Sequence, residues 1–447
     1  SLGAGNGGDI NLTATESYSQ VDAGVDAVTR DRGNGGTITI RAPEITIGEQ
    51  AVVNISALSG TGDAGEMTIA GTTITLDNST LATATFTQGK AGTALLSADT
   101  ITASNASILG ETRGAGEGAD IQLTANTISL TNTPINSSTS GAGEGGVITL
   151  AATDVLIDGS SIITETTGDG AGGSIVINAD QLNIVNRGNL NGRASDGSGN
   201  AGDITITAKS FDITQGLITL VTSTSGSGGN LNVNTDTLNL SQANLSASAR
   251  GQGDAGSISV ATLSGAIQNG TKIPSDTTGN GVGGDIVVSA NTLDILSDSV
   301  ISSSATGPSD AGDVTLIVPD VLQIVGAQIQ TTSAQSGGGS INIQTQNRIR
   351  IDNGVVSASA NGVTDDSGGG NIDIDPELFT LRQSQIVAQA NAGTGGNINL
   401  VATNFVADSE TLISASSQRG IDGTVEIESP NQAVNPISVE LNTGFQD

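Results

Sequence analysis

"GNAGDITITA" occupies residues 199–208. "GAGGSIVINA" stands upstream at 170–179 and "GSGGNLNVNT" downstream at 226–235. A phrase that returns at near-constant spacing marks a repeat architecture, so the period is read before anything else. The second residue of each glycine pair serves as an anchor: Gly8, Gly36, Gly65, Gly92, Gly146, Gly173, Gly202, Gly229, Gly256, Gly284, Gly312, Gly339, Gly370, Gly396 and Gly423, with Ala119 standing in once. The anchors recur on average every ~27.7 residues, a supersecondary period. Only the step from Gly339 to Gly370, at 31 residues, departs much from it.

Two residues after each anchor the side chain is apolar, from Ile10 and Ile38 through Ile204 to Val425, and four residues after it is apolar again, from Leu12 and Ile40 through Ile206 to Ile427. The position between is mostly polar, as at Asn11, Thr39, Gln122 and Thr205. This alternation in branched aliphatics predicts a strand with one buried face. A second strand is predicted around pairs such as Ile45/Ile47, Ile74/Leu76, Phe211/Ile213 and Phe379/Leu381. A third centres on Leu81, Ile108, Ile135, Ile162, Leu245, Val300, Ile386 and Leu412. Between the second and third lie residues that tolerate the left-handed backbone region: Asn78, Asn105, Asn132, Gly159, Asn186, Asn269 and Gly354.

One such unit cannot bury its own apolar face, but stacked copies can, each strand pairing with its equivalent in the next unit. The predicted fold is all-β: a parallel β-helix, or β-solenoid, with three strands per coil and about 16 coils of 27–28 residues, some 75 Å long at ~4.8 Å per coil. Right-handed winding is expected of parallel crossovers. Residues 1–429 read as a single solenoid domain and 430–447 as a tail in which Pro430 and Pro436 bracket a break and "ISVEL" (437–441) forms one further strand.

Composition agrees and narrows function. The 447 residues include 63 Gly, no Cys or His, one Tyr (Tyr18) and one Met (Met67), so the core is built from small aliphatics. Against 45 acidic residues there are 14 basic ones, net −31. Phosphate recognition needs clustered Lys and Arg, so this balance argues against nucleic acid or anionic membrane as partner. No apolar run is long enough for a membrane-spanning helix. The opening "SLGAGNGG" reads as the middle of a repeat rather than a signal peptide.

The repeat and its "GNAGDITITA" phrasing resemble the filamentous-haemagglutinin-like exoproteins of two-partner secretion, notably their cyanobacterial branch, over nearly the whole chain. The ending "SPNQAVNPISVELNTGFQD" (429–447) is similar to the segment closing the repeat region in that branch. The resemblance implies a right-handed β-helix, export through a partner outer-membrane barrel, an extracellular or cell-surface location, and a fibre or adhesive role. The family's amino-terminal secretion domain is missing here, which marks this chain as a processed or truncated repeat region or part of a longer protein.

"GSGNAG" (197–202) and "GNGVGG" (279–284) fit G-x-G-x-x-G, but a dinucleotide site needs a helix after the motif, and a strand pattern follows. "NTD" (234–236), "TDD" (364–366) and "RIR" (348–350) superficially resemble pectin-hydrolase motifs. Asp236 and Asp365 are separated by more than four periods, hence by about 20 Å, whereas glycosidase carboxylates lie within about 10 Å. The chain is therefore read as not an enzyme, the alternative being a polysaccharide-active enzyme with a carboxylate pair the fold would bring together. Asp63 with Glu66, Glu117 with Asp120, and Asp310 with Asp313 place carboxylates on both sides of one anchor. These are weak candidate calcium sites, since calcium favours oxygen-rich Gly loops but tandem calcium solenoids repeat theirs every nine residues. No other cofactor is indicated. Acidic residues one past the anchor avoid consecutive coils, except Asp285 and Asp313, which are expected to splay, share a proton or hold a cation. Copies of the chain stacked head-to-tail or laterally, and a surface polysaccharide, are the partners expected.

Overall fold

A computed structural model of the chain describes residues 5–30, 33–86, 88–223 and 225–434. The predicted strand at 437–441 lies outside the described residues. The chain divides into two compact units, 1–232 and 233–447. Each unit is a parallel β-solenoid, and among the described residues there is no helix. Among the described residues the first unit holds eight third strands, from Gly24–Asp26 to Leu217–Thr219, and the second holds seven, from Asn244–Ser246 to Leu412–Ser414.

The repeat register is the pairing register. In the first unit Ile10 pairs with Ile38, Ile38 with Met67, and Ile177 with Ile206, all parallel. In the second, Ile258 pairs with Ile286, Ile286 with Val314, and Ile372 with Ile398. The apolar positions two and four past the anchor, from Ile38 and Ile40 to Ile398 and Leu400, are buried; Ile10, Leu12, Val425 and Ile427 are half-buried. The second-strand pairs are buried as well, with Phe379 and Phe405 tilted against each other on successive coils at 5.6 Å between centroids. Isoleucine on isoleucine gives a dry stack that only the neighbouring coils can complete.

Three turns of the first unit run the first two strands together, as Ile148–Asp158, Ile175–Val185 and Ile204–Thr214. Their connecting residues include Ala152-Thr153, Asp180 and Lys209-Ser210, whereas Pro43 and Gly71 interrupt the ladder in earlier turns. On the third strand the register expected at two places slips by one. Ile301 and Ile413 are the buried residues, while Val300 and Leu412 are half-exposed. The left-handed corner is found at Asn78, Asn105, Asn132, Gly159, Asn186 and Asn269 as expected, but Asn353 (φ 51°), not Gly354, occupies it in its coil. Gly354 is needed for another reason: a Cβ there would press on Ile351 Cγ2.

The anchor glycines serve close backbone approach. A Cβ on Gly65 would overlap the carbonyl oxygen of Gly36, and one on Gly92 that of Gly65. Neither has a left-handed φ. Glycine recurs because the chain passes within contact of its own copy one coil away. The long step to Gly370 is absorbed in the loop after Ala360, where Ser367 Oγ donates to Gln335 O at 3.0 Å, so the strands keep register.

Residues Asn431–Val434 form a strand paired parallel with Asn404–Ala407. The segment read as a break after Pro430 therefore begins as the second strand of a further turn.

Candidate functional site

A fourth ladder, which the period analysis did not separate from the glycine loop, closes each coil. In the first unit it consists of bridges through Thr29, Ala57, Thr85, Thr112, Thr139, Thr166, Ala194 and Thr222. In the second it runs from Ala249 and Thr277 to Ala305, resumes at Ala360, Ala390 and Ser417, and is joined through Ser333 by strand pairing. These small side chains point inward and are buried. Several of their hydroxyls donate to loop carbonyls, as Thr85 Oγ1 does to Gly89 O and Thr277 Oγ1 to Gly281 O, each at 2.9 Å, while Thr139 and Thr166 accept from loop N–H groups and Thr29 Oγ1 has no partner. The recurrence of Thr, Ala or Ser about twenty residues past each anchor was a visible signal for it.

Side chains flanking the bridge point outward and line a groove. In the first unit the groove has a volume of about 280 Å³ and is lined by Glu111, Arg113, Asn136, Ser138, Ser140, Glu165 and Thr167 with the bridge residues Thr112 and Thr139. Ser138 lies one coil from both Glu111 and Glu165, so the two carboxylates bracket a small hydroxyl. Asn136 Nδ2 donates to Glu111 Oε1 at 2.6 Å, and Ser138 Oγ to Asn136 Oδ1 at 2.5 Å. The Arg113 guanidinium sits 4.7 Å over the ring of Phe86, which is 42% exposed. Arg193 Nε lies 3.9 Å from Glu165 Oε1 and has no hydrogen-bond partner. A groove at the same place in the repeat occurs in the second unit, about 110 Å³, lined by Ser359, Asn361, Gln389, Asn391, Ser416 and Gln418.

The candidate calcium residues have other partners. Asp63 Oδ1 accepts from the Lys90 backbone N–H at 2.8 Å, Asp120 Oδ1 from Val147 N–H at 2.9 Å, Asp310 Oδ1 from Gly337 N–H at 2.7 Å, and Asp313 Oδ1 from Ser340 N–H at 2.7 Å. Glu66 Oε1 accepts from Thr68 Oγ1, and Glu117 pairs with the Lys90 ammonium, whose pKa this hydrogen bond raises. Among the described residues no three acidic side chains gather where a metal ion could be held. Asp285 and Asp313, expected to splay, share a proton or hold a cation, each accept a backbone hydrogen bond from the coil that follows. The Asp313 backbone N–H donates to Asp285 Oδ1 at 2.8 Å, so each carboxylate faces a donor on the following coil rather than the next carboxylate. Asn371 and Asn397 make the same link one residue past the anchor, and Asn6 and Asn34 make it two residues before the anchor, so both positions accept an Asx-length acceptor with or without charge.

Other sequence candidates disperse. Both G-x-G-x-x-G stretches are followed by strands, Ile204–Thr214 and Ile286–Ser289, not by helices. Asp236 lies within the strand Leu231–Ser241 and Asp365 in the loop after Ala360, at different corners and several coils apart. Among the described residues no helix is long and apolar enough to cross a membrane. One further carboxylate is set apart: Asp276, beside the bridge at Thr277, is largely buried, and this burial raises its pKa despite hydrogen bonds from Ser302 Oγ at 3.2 Å and Ser304 N–H at 2.9 Å.

Comparison with known proteins returned no match to a family model, a curated protein or a solved structure.

Proposed function

We propose that this chain is the repeat region of a filamentous-haemagglutinin-like exoprotein, exported through a partner outer-membrane barrel to serve as a structural and adhesive fibre element at or beyond the cell surface. The observation that carries the reading is the residue-for-residue parallel pairing of coil on coil within each unit, around an aliphatic stack with no metal cluster among the described residues. Such a scaffold holds a long surface at low sequence cost and suits display rather than catalysis. Copies of the chain joining head-to-tail would extend it, since heterologous contacts of that kind propagate as a filament, and lateral joining would thicken it. Protease treatment of intact source cells tests the placement: loss of the chain without lysis is expected, and complete protection until lysis would overturn it. Electron microscopy of the purified chain, with and without residues 430–447, tests assembly. Monomers alone in both samples would remove the polymer and leave the adhesive reading standing.

A second reading, a polysaccharide-active enzyme, draws on Glu111 and Glu165 facing one groove. Two coils separate them, about 10 Å along the stack, at the outer limit of an inverting pair. New reducing ends released from a polysaccharide would favour it over display.

A further inference from the structure

We infer that the grooves beside the bridge ladder are binding sites for a neutral polysaccharide, the main one running over Glu111, Ser138 and Glu165. The inference rests on the adhesive reading and names the partner of that surface. It starts from recurrence. The two units differ in their groove side chains, yet both carry the groove at the same point of the coil. In the first unit the lining is carboxylate, guanidinium, amide and hydroxyl with the apolar Ile163 among them; in the second it is amide and hydroxyl around the bridge residues Ala360 and Ala390. Planar polar groups repeated at coil spacing offer both donors and acceptors in a row, the complement of a chain bearing many hydroxyls. The Phe86 ring with Arg113 over it adds a flat, partly apolar platform at one end.

Other occupants fit less well. A polyanion would meet Glu111 and Glu165 at the floor of the groove, on a chain of net charge −31. A bound cation has little to hold it, since among the described residues no three acidic side chains gather where a metal ion could sit, and calcium takes about six to eight oxygen ligands. A peptide adding as a strand needs unpaired backbone groups. Here Thr112 N–H donates to Ser138 O, Thr139 N–H to Glu165 O, and Ser140 N–H to Thr112 O, so the floor is already paired coil to coil. What remains open to a ligand is side-chain chemistry.

Affinity electrophoresis of the full chain through gels cast with dextran, β-glucan or galactomannan tests the proposal, with alginate as the anionic control. Retardation in at least one neutral polysaccharide and none in alginate is expected. Ser138→Arg, which fills the groove, and Arg113→Ala, which removes the platform cation, should each weaken apparent binding about tenfold, the scale of one or two lost hydrogen bonds. Unchanged circular dichroism and melting temperature verify that both variants fold. Free mobility in every neutral gel overturns the proposal, as does retardation unaffected by both substitutions or confined to alginate. Retention by an extended-peptide column in place of the glycans also overturns it. Because protease accessibility on cells is measured separately, the groove can fail while the surface-fibre reading stands, and the reverse.

Discussion

Ala119 and Gly110 form a matched pair. Ala119, the one anchor that is not glycine, donates its N–H to the Gly110 carbonyl at 2.9 Å, and a Cβ on Gly110 would overlap the Ala119 Cβ. In neighbouring coils the arrangement is inverted: Ser137 faces Gly146 and Thr164 faces Gly173, joined by the same backbone bond. One methyl fits at this crossing. Gly110→Ala should therefore destabilise the first unit by about 1–3 kcal/mol, as overpacking does. Adding Ala119→Gly should recover most of it. A double-mutant cycle from denaturant melts measures the coupling, and simple additivity of the two changes would contradict the pairing.

Ile206 lies fully buried between Ile177 and the following coil. Replacing it with Asp places an unpaired charge in an aliphatic stack, at a cost of several kcal/mol in the ~3–5 range. A melting temperature equal to that of the parent chain would show the inward register to be wrong.

The Asx column predicts that shape matters more than charge. Asp313→Asn keeps an acceptor for Ser340 N–H and should be close to neutral, while Asp313→Ala should cost about 0.5–1.5 kcal/mol, the net worth of one hydrogen bond. Chelation with EDTA should leave the melting temperature unchanged, because these carboxylates already face backbone or side-chain donors. A chelator-induced fall would restore calcium to the Gly loops.

Asp276 makes stability depend on pH. Burial raises its folded-state pKa, so the folded chain holds this proton more tightly than the unfolded chain. Its stabilising contribution is complete below the ordinary Asp range and is lost as pH rises through the raised value. Asp276→Asn removes that loss. The variant should match the parent in acid and exceed it in melting temperature at neutral pH, with equal melting temperatures at neutral pH counting against the burial argument.

Thr345 Oγ1 is buried without a partner, although the equivalent Thr262 Oγ1 donates to Ser264 O at 3.0 Å. The corner after Thr345 carries one residue more than that after Thr262, and the acceptor is displaced. Thr345→Val keeps the shape and removes the orphaned hydroxyl. It should stabilise the second unit by about 1 kcal/mol, read from the denaturation midpoint; a loss of that size would reveal a hidden partner.

The sequence by itself determined the coil. Period, strand alternation and inward face were legible because burial in a stacked repeat acts identically on every copy, so Ile38, Ile204 and Ile398 report the same environment. The left-handed corner was legible through asparagine, except where Gly354 beside Asn353 offered the more permissive residue and the wrong position. Tertiary structure decided what depends on contact across the coil. Whether Asp313 meets Asp285 or a backbone N–H turns on where a side chain one coil away points, which spacing does not encode. The recurrence of Thr, Ala or Ser marked the fourth ladder only weakly, because these residues are common in loops too, and their burial appears only once the chain closes on itself. The groove follows from that closure: Glu111, Ser138 and Glu165 stand 27 residues apart in sequence, and only the stacking of coils turns them into neighbours.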